Sequence, residues 1–465
     1  MKKVFIIIIA FFAFQASGQE IRPEIEELAQ KIEEYNVLES EHVGYGGGTT
    51  DQYRNFERLK SKATLEELLL LLGNKNSVVK GYTSWALSDR KYPRLVDIFA
   101  EFLITGESAT SQHGCMVSKG DLSSELYHRV FYQHYNNQLS VEDSLFFQSQ
   151  IQLLDSVILY SKKDNYLLSK ALFNNKGNPA NYERIRHLAF KKKKSQAIRA
   201  LAFYQKKQDI EGFKKLKEKS FDAIAIFPDT SFWDFLLSFN NKEISKRYLM
   251  AISAFKTEKS KEVLSALLST LPSEKIIELA EALTKNYCVL YQPLILENWE
   301  SYKIIDIKAT ELLIKDLPEK ASNSFTIGLL SNEKLNFVQC DSYYGTEGGI
   351  LPLMLENIKN HQKDSLLKVC ETNIKTVESK YLIYFLNCVK INNLTETSDE
   401  ILERLNQKNT AYEVFHLCET LLPFIEPNQK DTLVSILKTN QKNWDWGNWS
   451  ESFREMFKEY DIQFD

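Results

Sequence analysis

Glycine and proline are scarce in this chain, with only 17 and 10 of them among 465 residues. A protein of many β-strands needs far more of the turns that these two residues form, so their scarcity favours helices. Hydrophobic residues make up 43% of the chain and charged residues 26%, which are ordinary values for a folded globular protein. The composition therefore predicts a large, mostly helical protein.

A strong excess of charge is also lacking. The formal net charge is −4, and it becomes −6 without Lys2 and Lys3. Binding to nucleic acid depends largely on clustered lysine and arginine, so this balance argues against nucleic acid as a main partner. The one basic run, Lys191 to Lys194, lies between two helical patterns and is interpreted as a solvated turn.

Long hydrophobic runs are confined to the first residues. Lys2 and Lys3 precede an apolar run from Val4 to Phe14, and small residues up to Gly18 follow it. This order is typical of a secretory signal peptide, and the run is shorter than the roughly 20 residues that a membrane span needs. We expect cleavage after Gly18 and a periplasmic or secreted protein without a transmembrane span. An uncleaved membrane anchor is the alternative, which the short run disfavours.

Familiar catalytic and cofactor motifs are missing as well. His-Glu-x-x-His, Gly-x-Ser-x-Gly and paired Cys-x-x-Cys do not occur in the sequence. The glycines from Gly44 to Gly48 are not followed by the Gly-Lys-Ser/Thr of a phosphate loop, so they predict a flexible connection into a helix. The sequence indicates no cofactor and favours a protein that is not an enzyme.

The clearest helical pattern runs from Ala63 to Leu103. Thr64 and Glu67 have the spacing of a capping box, which satisfies the free amides of a helix start. Apolar residues then recur at helical spacing, Ser77 is expected to cap a second helix, and Pro93 is expected at the first position of a third. Each apolar stripe needs a neighbouring helix to bury it.

The segment from Asn76 to Leu87, Asn-Ser-Val-Val-Lys-Gly-Tyr-Thr-Ser-Trp-Ala-Leu, resembles the second helix of a HEAT repeat. Weaker echoes begin at Ala197 and Ile244. Their basic residues, Arg199 and Lys246, are 47 residues apart, close to the repeat length of such proteins. The resemblance covers about a third of the chain. It implies an all-α fold, an α-solenoid of antiparallel helix pairs of the HEAT or armadillo-like type, with protein binding as the commonest role.

Stretches without helical spacing divide the chain into seven predicted segments. Long loops in such a protein often carry function. The residues from Ser324 to Gln339 alternate briefly between apolar and polar, which predicts a short β-hairpin. The predicted segments are the signal peptide at 1–18, an N-terminal helix and Gly-rich loop at 19–62, HEAT-like helices at 63–105, a polar loop and insertion at 106–140, a helical repeat array at 141–322, an irregular loop at 323–350, and a C-terminal helical region with an aromatic cap at 351–465.

One cluster of potential metal ligands stands out. His113, Cys115, His128 and His134 lie within 22 residues, and zinc accepts imidazole and thiolate ligands. The last two histidines are six residues apart on one predicted helix, which turns them about 120° away from each other. We interpret the four as scattered surface and core residues and keep a metal site as the alternative.

Cysteine is otherwise sparse, with six in the chain. An even number permits disulfides outside the cytoplasm, but a chain of this length does not need them. Cys370, Cys388 and Cys418 fall within apolar helical patterns, so they are interpreted as small buried hydrophobic residues.

Half of the six tryptophans lie near the C-terminus, at Trp444, Trp446 and Trp449. Large aromatic residues can stack on a sugar or anchor a protein partner. Phe453 and Phe457 follow at helical spacing, which favours a cap over the exposed end of a repeat stack.

These observations favour an exported helical-repeat protein that acts as a scaffold for a protein or peptide partner. One alternative is a helical-toroid enzyme acting on a polysaccharide, with loop acids such as Asp341 and Glu347. Another is an array that serves only as a spacer within an envelope complex. The candidate binding residues, all aromatic or imidazole side chains, are Tyr343, Tyr344, His113, Trp444 and Trp446.

Overall fold

The chain divides into an N-terminal and a C-terminal unit. The computed structural model describes residues 20–135, 139–163, 165–239, 244–331, 334–338, 349–407, 409–440 and 450–462. These residues form 26 α-helices and five short β-strands, so the predicted helical class is confirmed. The N-terminal unit ends at Gln205, and the C-terminal unit begins at Lys206.

The N-terminal unit combines helices with one small sheet. Its helices are α1 (Pro23–Tyr35), α2 (Asp51–Lys62), α3 (Leu65–Leu71), α4 (Ser77–Asp89), α5 (Leu95–Thr105), α6 (Leu122–His134), α7 (Val141–Tyr160), α8 (Leu168–Asn174), α9 (Tyr182–Phe190) and α10 (Ser195–Ala202). Its strands are β1 (Leu38–Val43), β2 (Ser108–Gly114) and β3 (Met116–Asp121).

The C-terminal unit is almost wholly helical. Its helices are α11 (Ile210–Lys215), α12 (Phe221–Ile226), α13 (Trp233–Leu237), α14 (Lys246–Ser253), α15 (Glu258–Leu268), α16 (Ser273–Lys285), α17 (Gln292–Tyr302), α18 (Ile307–Asp316), α19 (Pro318–Leu330), α20 (Ile350–His361), α21 (Lys363–Thr376), α22 (Ser379–Asn392), α23 (Ser398–Leu405), α24 (Ala411–Leu421), α25 (Pro427–Asn440) and α26 (Ser450–Glu459). Its two strands are β4 (Ile304–Asp306) and β5 (Asn336–Val338).

Helices in both units pack mainly against helices that are next or next but one along the chain. In the N-terminal unit, α4 contacts α3, α5 and α6, and α7 contacts α6, α8 and α9. In the C-terminal unit, α14 contacts α12, α15 and α16, and α21 contacts α19, α20, α22 and α23. Each apolar helix face is therefore buried by neighbours that are close in sequence.

Side-chain caps begin two of the three predicted helices at or next to the predicted position. Thr64 and Glu67 form the predicted capping box at the start of α3. Asn76 caps α4 in place of the predicted Ser77, because its side chain accepts hydrogen bonds from two backbone amides of the first turn. Pro93 was expected at the first position of the next helix, but α5 begins two residues after it.

The polar loop expected after α5 is wrong, because these residues form strands. β2 and β3 make an antiparallel hairpin with Ser108 opposite Asp121, and β1 joins it in parallel with Leu38 opposite Ser111. The start of the Gly-rich loop meets the hairpin, where the amide of Gly44 donates to the carbonyl of Gly114 at 3.0 Å. These strands are short and polar, so they lack the apolar alternation by which a strand is recognised in a sequence.

The hairpin predicted from Ser324 to Gln339 is also wrong. Residues 324–330 belong to α19, and β5 pairs in parallel with β4, with Ile305 opposite Phe337. Parallel strands require a crossover connection, which α18 and α19 supply. The burial of Phe325 and Leu329, four residues apart, shows that helical spacing prevails over the brief alternation.

Helix α4 lies at the centre of the N-terminal unit. Ten of its 13 residues are buried. A side chain at Gly81 would lie 3.1 Å from the side chain of Leu38, so glycine allows β1 to pack closely on the helix. The Tyr82 hydroxyl accepts from the amide of Glu39 at 2.7 Å and donates to its carbonyl at 3.0 Å. The sheet thus lies on α4, with α2 and α6 beside it.

Three further expectations concern single features. Among the described residues, no helix combines the length and the apolar character that a membrane crossing requires. Cys370, Cys388 and Cys418 are free and buried, as predicted. The basic run from Lys191 to Lys194 forms the turn between α9 and α10, and its first three side chains are exposed.

Candidate binding site in the N-terminal unit

An open cavity lies where three neighbouring helices of the N-terminal unit meet the edge of the sheet. We call it the N-terminal cavity, and its volume is about 490 Å³. Helices α2, α4 and α6 supply most of its walls, and β1 and the loop before α2 complete them. The lining residues are Glu41, Thr49, Tyr53, Glu57, Lys60, Asp89, Arg129 and Gln133.

Buried aromatic rings support the polar lining. Phe56 on α2 stacks on Tyr82 of α4, with ring centroids 4.9 Å apart. Trp85 meets Phe56 edge-on at 5.9 Å and Tyr82 at 5.4 Å, and Tyr53 lies 5.2 Å from Phe56. Such offset and edge-on pairs favour a fixed arrangement, so α2 and α4 form a firm base for the polar side chains.

Arg129 and Asp89 form the centre of the lining. The guanidinium donates from Nε to Oδ1 at 2.7 Å and from Nη2 to Oδ2 at 2.5 Å, which is a bidentate pair between α6 and α4. It also lies 5.2 Å from the ring of Trp85 and 5.6 Å from that of Phe56. Burial opposes the charge, but the hydrogen bonds and the charge of Asp89 raise the pKa of Arg129 above its usual value.

Lys60 and Gln133 extend this pair into a network. Lys60 donates to Asp89 Oδ2 at 3.3 Å and to Glu57 Oε1 at 2.6 Å, and Gln133 donates to Asp89 Oδ1 at 3.0 Å. Burial alone would lower the pKa of Lys60, but its hydrogen bond to Glu57 and the charge of Asp89 raise it. Lys60 and Arg129 therefore both remain cationic, and Asp89 receives donors from three side chains.

Hydrogen bonds of Glu39 and Gln52 fix the position of β1 beside the cavity. The Glu39 carboxylate accepts from the Tyr35 hydroxyl at 3.0 Å and from the hydroxyl of Thr50, which also caps α2. The side-chain amide of Gln52 donates to the backbone carbonyls of Ile32 and Val37 at 3.1 and 2.9 Å. These bonds hold β1 and the start of α2 in place, so the positions of Glu41 and Thr49 are set by their neighbours.

The cavity lining combines positively and negatively charged side chains, most of which are held in place by hydrogen bonds to one another. Arg129 and Lys60 are compensated by Asp89 and Glu57, and the Asp89 side chain is only 9% exposed. Burial raises the pKa of the Tyr53 hydroxyl, so that group remains neutral. Preorganised polar groups on rigid elements are suited to recognising a polar ligand.

His113, a candidate binding residue, lies on β2 and outside the cavity lining. Its Nε2 atom lies 3.0 Å from the carboxylate of Glu125 on α6, and its ring lies 6.2 Å from that of Trp85. The hydrogen bond to Glu125 raises the pKa of His113, although burial opposes this. His113 therefore joins the sheet to the helix that carries Arg129 and Gln133.

The metal alternative for His113, Cys115, His128 and His134 finds no support. Among the described residues, no group of three or more His, Cys, Asp or Glu side chains could hold a metal ion. Cys115 donates to the carbonyl of Gly44 at 3.5 Å, just beyond the ends of β1 and β2. His128 and His134 both lie on α6, as predicted, and their spacing separates them around the helix.

The other candidate residues fall in two further segments of the chain. Tyr343, Tyr344, Trp444 and Trp446 lie outside the described residues, as do Asp341 and Glu347. Nearby, Phe453 and Phe457 of α26 are buried, and Phe453 lies 5.4 Å from Phe415 of α24. Phe453 and Phe457 therefore belong to a hydrophobic core.

Sequence reasoning missed every residue of the cavity lining. A signal does exist, because Tyr53, Glu57 and Lys60 recur at helical spacing along α2, as do Arg129 and Gln133 along α6. The same spacing describes any solvated helix face, so it does not single out a site. Only the juxtaposition of α2, α4 and α6 distinguishes these residues.

A second buried polar cluster is enclosed by protein. The Asp155 carboxylate accepts from Tyr127 at 2.7 Å, from Asn174 at 3.0 Å and from Asn175 at 3.1 Å. Burial raises the pKa of Asp155 to about 6, despite these donors. The side chain is 1% exposed, so we assign the cluster to the joining of α6, α7 and α8.

Comparison with known proteins does not assign the chain to a family. No protein-family model, curated protein or solved structure matches it. The N-terminal cavity is therefore identified as the candidate site by its geometry and its charges.

Proposed function

We propose that this chain is an exported helical-repeat protein of the HEAT type that binds a segment of another polypeptide in the N-terminal cavity, without acting on it chemically. Two features support the architecture: the packing of each helix against its next and next-but-one neighbours, and the resemblance of α4 to a HEAT helix. The apolar run from Val4 to Phe14 behind Lys2 and Lys3 supports export.

The observation that supports the proposal is the mixed lining of the cavity, in which each cation is paired with a carboxylate. A polypeptide backbone presents amide donors and carbonyl acceptors in alternation. Gln133, Thr49 and Tyr53 can meet such groups, while Asp89 balances the charge of Arg129. Helices α2, α4 and α6 form the walls of this open cavity, and helical-repeat proteins bind extended partners on surfaces built from several helices.

The first experiment asks whether the cavity binds peptide. The purified chain would be presented with a phage-displayed library of random short peptides, and selected peptides would be labelled and titrated by fluorescence anisotropy. We expect saturable binding that Thr49→Trp weakens by about tenfold or more, because the indole fills part of the cavity. Thr105→Trp is the matched control, since Thr105 is exposed at the end of α5 and does not line the cavity.

The outcomes separate the competing functions. Circular dichroism and thermal melting would check that both variants fold. Absence of peptide binding, or equal binding by wild type and Thr49→Trp, would contradict the proposal. A glycan panel tested in parallel would identify a polysaccharide-acting protein if it showed cleavage or saturable binding, and that result would replace the scaffold by the helical-toroid enzyme.

A further inference from the structure

The two cations of the N-terminal cavity are already engaged. Arg129 is bound through two nitrogens by Asp89 and lies against the rings of Trp85 and Phe56, and its side chain is 18% exposed. Lys60 binds both Glu57 and Asp89 and is 25% exposed. An anionic ligand that approached either cation would also meet the negative charge of the Asp89 or Glu57 carboxylate already bound to it, which would repel the ligand.

The three carboxylates of the lining differ in how many hydrogen bonds they already accept. Asp89 accepts from Arg129, Lys60 and Gln133 and is nearly buried. Glu57 is 42% exposed and accepts from Lys60 through Oε1. The Glu41 side chain is exposed, and its carboxylate has no hydrogen-bond or ion-pair partner among the described residues. Two carboxylates of the cavity therefore retain acceptor capacity that a ligand can use.

The net charge of the cavity lining also favours a cationic ligand. Three carboxylates and two cations leave the lining one negative charge in excess. Tyr53, which is neutral, lines the same space and does not change this balance. A cation can pair with Glu41 without breaking an existing pair, whereas an anion would add to the excess of negative charge.

We propose that the N-terminal cavity selects a polypeptide segment carrying a basic side chain, a lysine or an arginine, whose charge is received by Glu41 and Glu57. This inference rests on the proposed function and specifies its partner. Glu41 is the more direct residue to test, because its carboxylate pairs with no lysine or arginine of the protein. Removing its charge therefore leaves no cation of the cavity unpaired. Glu57 contributes through the oxygen that Lys60 leaves unused.

The test uses the peptides selected above and charge-neutral variants of the protein. We expect the selected peptides to be enriched in lysine and arginine, and replacement of the basic residue by glutamine in a bound peptide to weaken binding by about tenfold. Glu41→Gln should weaken binding of basic peptides by about two- to fivefold, and Glu41→Gln with Glu57→Gln by about tenfold. Added salt should weaken binding to the wild type more than to the double variant.

Glu66→Gln is the matched control, because Glu66 is an exposed glutamate on the neighbouring α3 and does not line the cavity. It should leave the affinity unchanged. If peptides bind and Thr49→Trp blocks them, but neither the basic residue nor the two glutamates affect affinity, this inference is wrong and the proposed function stands. If no peptide binds at all, both fail.

Discussion

At the scale of single residues, Glu67 shows how one carboxylate can hold together parts of the chain that are far apart in sequence. Its Oε2 atom completes the capping box by accepting from the amide of Thr64 at 2.8 Å. The same carboxylate binds the Arg22 guanidinium through two bonds of 2.8 Å. The hydrogen bond from Arg22 is the largest cause that lowers the pKa of Glu67, to about 2.

Glu67 should therefore make the N-terminal unit sensitive to acid. The folded pKa of about 2 lies below the ordinary 4.5, so the carboxylate stabilises the fold above about pH 4.5 and loses that contribution as the pH falls toward 2. We expect Glu67→Gln to cost about 1–2 kcal/mol near neutral pH, because Arg22 is half exposed and solvent screens the pair. Urea unfolding as a function of pH measures this.

The variant should also have a weaker loss of stability between pH 4.5 and 2 than the wild type. Glu66→Gln serves as the control, since this neighbouring side chain is exposed. An identical pH dependence in wild type and Glu67→Gln would show that the pair with Arg22 does not contribute.

At the scale of secondary-structure elements, the close contact of α17 and α19 depends on one glycine. Trp299 of α17 is fully buried, and its indole N–H donates to the carbonyl of Ser324 at 3.0 Å. A Cβ atom at Gly328 would lie 2.3 Å from the indole nitrogen of Trp299. The ring of Phe337 stacks on the indole at 5.9 Å, so the tryptophan is held from more than one side.

Gly328→Ala should therefore destabilise the C-terminal unit. Alanine favours a helix by about 1 kcal/mol over glycine, but forcing a methyl group into this contact costs about 1–3 kcal/mol or more. We expect a net loss of stability in thermal or urea unfolding. Gly46→Ala is the control, because no atom lies within 4 Å of its added Cβ. A neutral or stabilised Gly328→Ala would show that α17 and α19 can separate without cost.

Secondary-structure elements also show which features a local sequence pattern can predict. The capping box of Thr64 and Glu67 was predicted correctly because all its partners lie within four residues. The hairpin of β2 and β3 was missed, because its strands are polar and its pairing with β1 joins segments about seventy residues apart. The cavity was missed for the same reason, since Glu41 and Gln133 meet only after the helices pack.

At the scale of the whole molecule, the chain has two compact units, each with its own buried residues. Substitutions in different units should then act on different parts of the chain. We expect Glu67→Gln to speed amide hydrogen exchange in helices before Gln205 and to leave those after Lys206 unchanged. Gly328→Ala should do the reverse, as measured by hydrogen-exchange mass spectrometry. A uniform increase along the chain from either substitution would show that the units open together.

The sequence by itself determined that this protein is helical, that α3 begins with a capping box, and that Cys370, Cys388 and Cys418 are buried. These features follow from local chemistry: few glycines and prolines, capping side chains, and apolar residues at helical spacing. The tertiary structure alone decided that two polar stretches pair into a sheet and that charged residues from α2, α4 and α6 share one cavity. Strand pairing and charge compensation depend on contacts between segments that are distant in sequence. A local sequence pattern cannot predict such contacts.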